Sequence, residues 1–170
     1  MMAKIRIAGI IRESVTDGPG LRLVVYTQGC PHRCAGCHNP DTWEVSGGYE
    51  LESDLIFEQI KENPLLTGLT ISGGEPFLQA KNLIDLVQKI AVLGKNTVIY
   101  TGYTFEELME IGQQQPEILE LLKAADYLVD GPFIKELKTF TLPFRGSSNQ
   151  RFIDLKKSFL QKQIVEVKWE

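Results

Sequence analysis

The stretch GCPHRCAGCHNP, residues 29–40, holds all three cysteines of the chain, Cys30, Cys34 and Cys37. A disulfide would take two of these thiols and strand the third. A structural zinc site normally closes with four nitrogen or sulfur ligands. A cubane iron–sulfur cluster has four irons and is most often held by four cysteines. Three cysteines would leave one iron bare, and an open coordination position marks a metal centre that does chemistry rather than one that staples a fold. The C-x3-C-x2-C spacing lets a single loop fold back around so compact an object. The plain alternative is a Cys3His zinc site using His32 or His38. His38 follows Cys37 directly, an awkward arc for two ligands on one tetrahedral ion, and no second ligand pair follows at zinc-finger distance. Simple burial of the thiols suits the flanking Pro31, His32, Arg33, Gly36 and Pro40 poorly.

Other segments carry chemistry-bearing residues. In GGEP (73–76), Gly73 and Gly74 allow backbone to approach a ligand closely. The Glu75 carboxylate and bare carbonyls there can accept hydrogen bonds from an ammonium group; taken alone, the same four residues are equally a turn. Thr101 could offer a hydroxyl to a ligand or lead into a helix. Asp130 could pair with a cation or cap a turn. Arg145 and the GSSN that follows make a polar cluster between Phe144 and Phe152, either solvated or a binding loop.

The elements that must position these residues follow from periodicity and turn chemistry. Residues 4–11 and 21–28 read as strands joined by a DGPG turn at 17–20. Ser53 reads as the N-cap of a helix over 54–62, with Leu55, Ile56 and Ile60 at helical spacing, ended by Asn63-Pro64. Further strands fall at 68–72, 97–101 and 127–130. A periodic helix over 81–93 closes at Gly94. Thr104 with Glu107 forms a capping-box signature, and 118–125 is another helix. Residues 131–150 show little periodicity, 151–155 read as a last strand, and 164–169 alternate as an edge strand or tail. Trp43 and Phe57 read as core. Alternating strands and helices argue for an α/β fold with a mainly parallel sheet. A closed eight-fold barrel takes about 250 residues, so 170 residues predict a partial, open (β/α) barrel in one domain, 1–170. The cysteine loop, GGEP, TGY and DGPF each follow a strand. Loops at the carboxyl ends of parallel strands gather on one side, so the four are expected to share one pocket.

With 43% hydrophobic and 24% charged residues the composition is that of a soluble globular protein. A net charge of −4 argues against nucleic acid as a partner, which usually needs a basic face. No apolar run approaches a membrane span. The N-terminus lacks the apolar core and small-residue cleavage site of a signal peptide. An odd cysteine count without an export signal points to reduced thiols and a cytoplasmic location.

C-x3-C-x2-C after a long strand, with GGEP after the next, resembles the radical S-adenosylmethionine enzymes. DGPGLRLVVYTQGCPHRCAGCHNPDTW, SGGEP, TGYTFEEL, VDGPF and LPFRGSSNQ together resemble one family within them, the anaerobic ribonucleoside-triphosphate reductase activating proteins, over roughly 17–155. The resemblance implies a [4Fe-4S] cluster on Cys30, Cys34 and Cys37, with the unique iron bound by the amino and carboxylate groups of S-adenosylmethionine. Gly73, Gly74 and Glu75 would meet the methionine ammonium, Gly74 most directly. Gly36, Cys37 and His38 would lie against the cofactor, with Thr101 and Asp130 as outer contacts. The wider superfamily often has an aromatic residue before the last cysteine, packed on the adenine. Here that residue is Gly36, which leaves the adenine to backbone or to His38.

The implied reaction is reductive cleavage of the sulfonium to methionine and a 5′-deoxyadenosyl radical, which takes a hydrogen from a glycine Cα. The implied partners are the large subunit of anaerobic ribonucleoside-triphosphate reductase and a low-potential electron donor such as flavodoxin or ferredoxin. An open barrel fits a protein substrate that closes it. The alternatives are an activase of the pyruvate formate-lyase type, a small-molecule enzyme of the 7-carboxy-7-deazaguanine synthase type, and a non-catalytic zinc-binding interaction module.

Overall fold

The β2 segment RLVVYT (Arg22–Thr27) is buried along almost its whole length, as befits a strand covered on both faces. It lies near the middle of a sheet seen in a computed structural model that describes residues 3–169; Met1, Met2 and Glu170, which the single-domain reading of 1–170 includes, lie outside the described residues. The remaining elements are β1 (Lys4–Ser14), β3 (Tyr49–Glu52), α1 (Ser53–Glu62), β4 (Gly68–Gly73), α2 (Ala80–Val92), β5 (Asn96–Tyr100), α3 (Phe105–Ile111), α4 (Pro116–Ala124), β6 (Tyr127–Asp130), β7 (Arg151–Asp154) and α5 (Leu155–Gln161).

The seven strands form one sheet in the order β3-β1-β2-β4-β5-β6-β7. β2, β4, β5 and β6 run parallel. β1 and β3 add antiparallel on one side and β7 on the other. β3 and β7 end the sheet without meeting, so the barrel is open, and its parallel pairing is confined to the four central strands. Each parallel step is a strand–helix–strand crossover, the connection that parallel neighbours require.

The helices cover one face. Leu23, Val25, Leu69, Ile71, Ile99, Leu128 and Ile153 point from the sheet into a core shared with Ile56 and Ile60 of α1, Leu83, Leu86, Val87 and Ile90 of α2, and Ile118, Leu121 and Leu122 of α4. The other face is smaller: Val98, Val129 and Phe152, packed with Tyr100, Tyr127, Phe144, Val167 and Trp169. Arg22 sits fully buried. Its guanidinium donates to Thr70 Oγ1 at 2.7 Å and to the carbonyls of Pro19, Leu69 and Asn96. It thereby pins the DGPG turn to β4, and burial lowers it to about 10.

Local differences from the sequence reading have physical causes. β1 runs on to Ser14, and Glu52 rather than Ser53 is the N-cap of α1. Ser53 is instead the first helical residue, its hydroxyl buried and unpaired. Leu55 is 49% exposed. β3 and α5 were not anticipated. The capping of α3 is as read: Thr104 Oγ1 accepts from the Glu107 amide. The tail joins the sheet edge, where Glu166 bridges Ile153 and the amide of Val167 donates to the Phe152 carbonyl at 2.8 Å. No helix among the described residues is long and apolar enough to cross a membrane.

Candidate functional site

The loops that follow β2, β4, β5 and β6 lie at the carboxyl ends of the parallel strands, and one buried carboxylate joins three of them. Glu75, in the loop after β4, is 0% exposed. Its Oε1 accepts from His32 Nε2 at 2.6 Å, from Thr101 Oγ1 at 2.8 Å and from the Gly102 amide at 2.9 Å. Its Oε2 accepts from the Phe77 amide at 3.0 Å and lies 2.9 Å from the same Thr101 hydroxyl. His32 belongs to the cysteine loop; Thr101 and Gly102 follow β5. A buried carboxylate is tolerated only when its oxygens are fully hydrogen-bonded, and these donors supply that.

The turn glycines serve the approach of backbone to backbone. Gly73 takes φ +86°, and a Cβ there would fall 2.6 Å from the Thr27 amide nitrogen. A Cβ on Gly74 would fall 2.3 Å from the Gly29 carbonyl oxygen. In this close contact the Gly74 amide donates to Thr27 O at 2.8 Å and the Glu75 amide to Gly29 O at 2.7 Å. GGEP is thus stitched along the start of the cysteine loop. A side chain on Gly102 would meet the His32 ring at 2.5 Å.

Cys30, Cys34 and Cys37 are free thiols of intermediate exposure. The loop turns back through Gly29 and Gly36, both at positive φ, and through Arg33 at φ 48°. The Cys37 amide donates to the Cys34 carbonyl, and the Asn39 amide points at Cys37 Sγ at 3.3 Å. Burial pushes the Cys30 thiol up, helped by Glu75 and Cys34; the backbone N–H groups of His32 and Arg33 oppose it. Among the described residues no group of three or more His, Cys, Asp or Glu forms a site for a metal ion. The fit to a cluster rests on donor chemistry: three thiols outside any disulfide, on one loop, with backbone N–H groups aimed at sulfur. Such groups stabilise thiolate and tune an iron–sulfur centre.

Gly36 and His38 are exposed at the lip of this loop. Asp130, 1% exposed, ends β6. Its carboxylate accepts from the Phe105 amide that opens α3 and from Arg151 through both Nε and a terminal nitrogen. Arg151 also reaches Glu106 at 2.8 Å. Of the two roles read for Asp130, cation partner and cap, it fills both.

Two residues of the site were missed in sequence. His32 entered only as a zinc ligand, yet it latches the cysteine loop to Glu75. Phe133, after β6, packs beside Gly36 and His38; the presence of a histidine between the first two cysteines and of an aromatic in DGPF was visible in the sequence, but not what either would meet. The RGSSNQ segment is not a solvated loop, since Ser147 is 0% exposed.

The model of the family described as a 4Fe-4S single cluster domain matches residues 16–153. The anaerobic ribonucleoside-triphosphate reductase-activating protein of Escherichia coli strain K12 is 36% identical over 149 residues, covering 80% of this chain and 90% of its own length. That of Vibrio cholerae serotype O1 is 37% identical over 144 residues, covering 80% and 89%. The pyruvate formate-lyase-activating enzyme of Clostridium pasteurianum is 39% identical over 127 residues, covering 71% of this chain and 53% of that enzyme. Similarity that runs from the first turn to the last strand, through every loop of the site, means that this chain belongs to the 4Fe-4S single cluster domain family, among the anaerobic ribonucleoside-triphosphate reductase-activating proteins.

Proposed function

We propose that this protein is a radical S-adenosylmethionine activase that generates a glycyl radical on anaerobic ribonucleoside-triphosphate reductase. The reading is supported chiefly by one observation: three unpaired thiols share a loop that His32 and Glu75 lock to the two neighbouring strand-end loops of an open sheet. Cys30, Cys34 and Cys37 are the residues that would hold a [4Fe-4S] cluster, and three thiols would leave one iron for the cofactor. When bound, cluster and cofactor supply one-electron carbon–sulfur cleavage and removal of a hydrogen atom from a glycine Cα.

The chain's own residues bind and orient. The Gly74 amide already donates to the end of β2 and the Glu75 amide to the start of the cysteine loop, so a methionine ammonium at Gly73 and Gly74 would meet carbonyl oxygens, the groups able to accept from it. Glu75 and Thr101 act from behind this turn by fixing its distance from the thiols. Gly36 and His38 lie at the cofactor's edge. Asp130 holds the start of α3 and Arg151 in place at the far side. The electron comes from a low-potential donor such as flavodoxin or ferredoxin. The sheet leaves one side without a wall, and the protein substrate supplies it.

The 39% identity to a pyruvate formate-lyase-activating enzyme supports a second reading, in which that type of lyase is the target. One experiment separates the two. Anaerobically reconstituted protein, reductant and S-adenosylmethionine are mixed with each glycyl radical enzyme and followed by electron paramagnetic resonance. A carbon-centred doublet on the reductase alone is expected. A doublet on the lyase alone gives the second reading, and a colourless protein carrying stoichiometric zinc overturns both.

A further inference from the structure

A nucleoside cofactor brings a flat ring with two apolar faces, and such rings bind by stacking on aromatic side chains. Gly36 supplies no such surface from within the cysteine loop. The other rings near the thiols are engaged: His32 bonds Glu75 and meets Tyr103 edge-on at 4.5 Å, and Trp43 lies under the Arg33 guanidinium. Phe133 is different. It is half-buried, and it is gripped at opposite edges of its ring. A Cβ on Gly36 would sit 3.3 Å from its Cε1, and a Cβ on Gly146 would sit 3.1 Å from its Cδ2. The two positions are glycine, and the ring fills the gap between the cysteine loop and the RGSSNQ loop. His38 stands beside it, centroids 5.3 Å apart and planes tilted by 46°.

The backbone on either side of Phe133 is fixed by RGSSNQ side chains. Gln150 Nε2 donates to the Gly131 carbonyl, and Asn149 Nδ2 donates to the Pro132 carbonyl at 2.8 Å. The Ile134 amide donates to Ser147 Oγ. Gln150 Oε1 closes the arrangement by accepting from the amides of Gly146 and Ser147. A loop that directs three bonds onto the backbone on either side of one ring, and two more within itself, holds that ring still, and a ring held before the ligand arrives binds it at lower entropic cost.

We propose that Phe133 is the aromatic wall on which the adenine of S-adenosylmethionine stacks, and that Asn149, Gln150 and Ser147 are its positioning residues. This rests on the cofactor reading above. The wall comes from the loop after β6 rather than from backbone or from His38 alone. Gly36 turns at φ +77°, which already favours glycine, and without a side chain there the Phe133 ring lies close against the cysteine loop.

The test is the dissociation constant of S-adenosylmethionine, and separately of 5′-deoxyadenosine, for anaerobically reconstituted holoprotein by equilibrium dialysis, with iron content measured on every sample. Phe133→Ala is expected to weaken both ligands about tenfold, within the range of base–aromatic stacking, with iron content unchanged. Phe133→Tyr should restore both, and Phe133→Leu should not. Gln150→Ala, which frees the loop but keeps the ring, should weaken binding by a smaller factor. Unchanged affinities in Phe133→Ala overturn the proposal alone, as does a loss that tracks falling iron content or full rescue by leucine. Failure of the unaltered holoprotein to bind S-adenosylmethionine overturns the cofactor reading as well.

Discussion

Replacing Glu75 by glutamine keeps the volume of the side chain and exchanges an acceptor oxygen for a donor. Both carboxylate oxygens face protein donors, so the amide NH2 must confront one of them whichever way it turns. An unsatisfied buried polar group costs about 1–3 kcal/mol. Glu75→Gln is therefore expected to lose about 2–4 kcal/mol in urea denaturation of the apoprotein, and to retain less iron after reconstitution because an amide oxygen accepts from His32 more weakly than a carboxylate does and so tethers the thiol loop less firmly. Arg22 makes a different case. Burial lowers it to about 10, so the folded state carries the desolvation cost at every pH below that and sheds it only as pH climbs further, toward the ordinary arginine range of the unfolded chain. The guanidinium is nonetheless kept charged at neutral pH by its four oxygen partners. Arg22→Ala would strand those oxygens and leave a cavity, and a loss on the order of 3 kcal/mol is expected from the same denaturation curves. Unfolding midpoints equal to the unaltered protein would refute either account.

The strand-end loops move the argument to whole elements, because the register of β2, β4 and β5 places Gly29, Glu75 and Gly102 side by side. Gly102→Ala tests that placement without touching a thiol. Its Cβ would press on the His32 ring at 2.5 Å, a side chain already held on the far side by Glu75. The expected result is a protein of near-normal melting temperature that binds substantially less iron than the unaltered chain. Equal iron content would show that the cysteine loop does not depend on this contact. Much of this architecture was legible. Continuous aliphatic runs marked β2, β4, β5 and β6; the 3.6-residue stripe and Gly94 marked α2; and each chemistry-bearing loop followed a strand. β3 escaped because YELE is four residues long at a sheet margin, too short for a period to emerge. α5 escaped because FIDLKKSFL reads as a strand running on, and Asp154, whose side chain caps it, lacks the glutamate three residues on that completes a capping box. The pairs His32–Glu75, Asp130–Arg151 and Phe133–Gly36 were not legible at all, since each joins residues 21 to 97 positions apart and exists only once the strands are aligned.

At the scale of the whole molecule, the C-terminal segment is part of the sheet's second face rather than a loose end. Trp169 meets Phe152 at 5.0 Å and Phe144 at 5.2 Å, both edge-on. Phe144 sits at φ 62°, and its carbonyl accepts from the Tyr100 hydroxyl at 2.7 Å. Trp169→Ala is expected to lower stability by about 2 kcal/mol, less than a fully buried tryptophan would, measured by thermal melting; no change would mean that the tail contributes nothing to that cluster. The same tail has a consequence for how copies of this protein behave toward one another. Residues 165–167 lie along the outer margin of β7, while the opposite margin is the short β3, bearing Glu50 and Glu52. One border is thus covered and the other charged, the two devices by which sheets discourage zipping onto a neighbour. Crowded copies should remain separate particles, and the unguarded way in is the mouth where the thiols are.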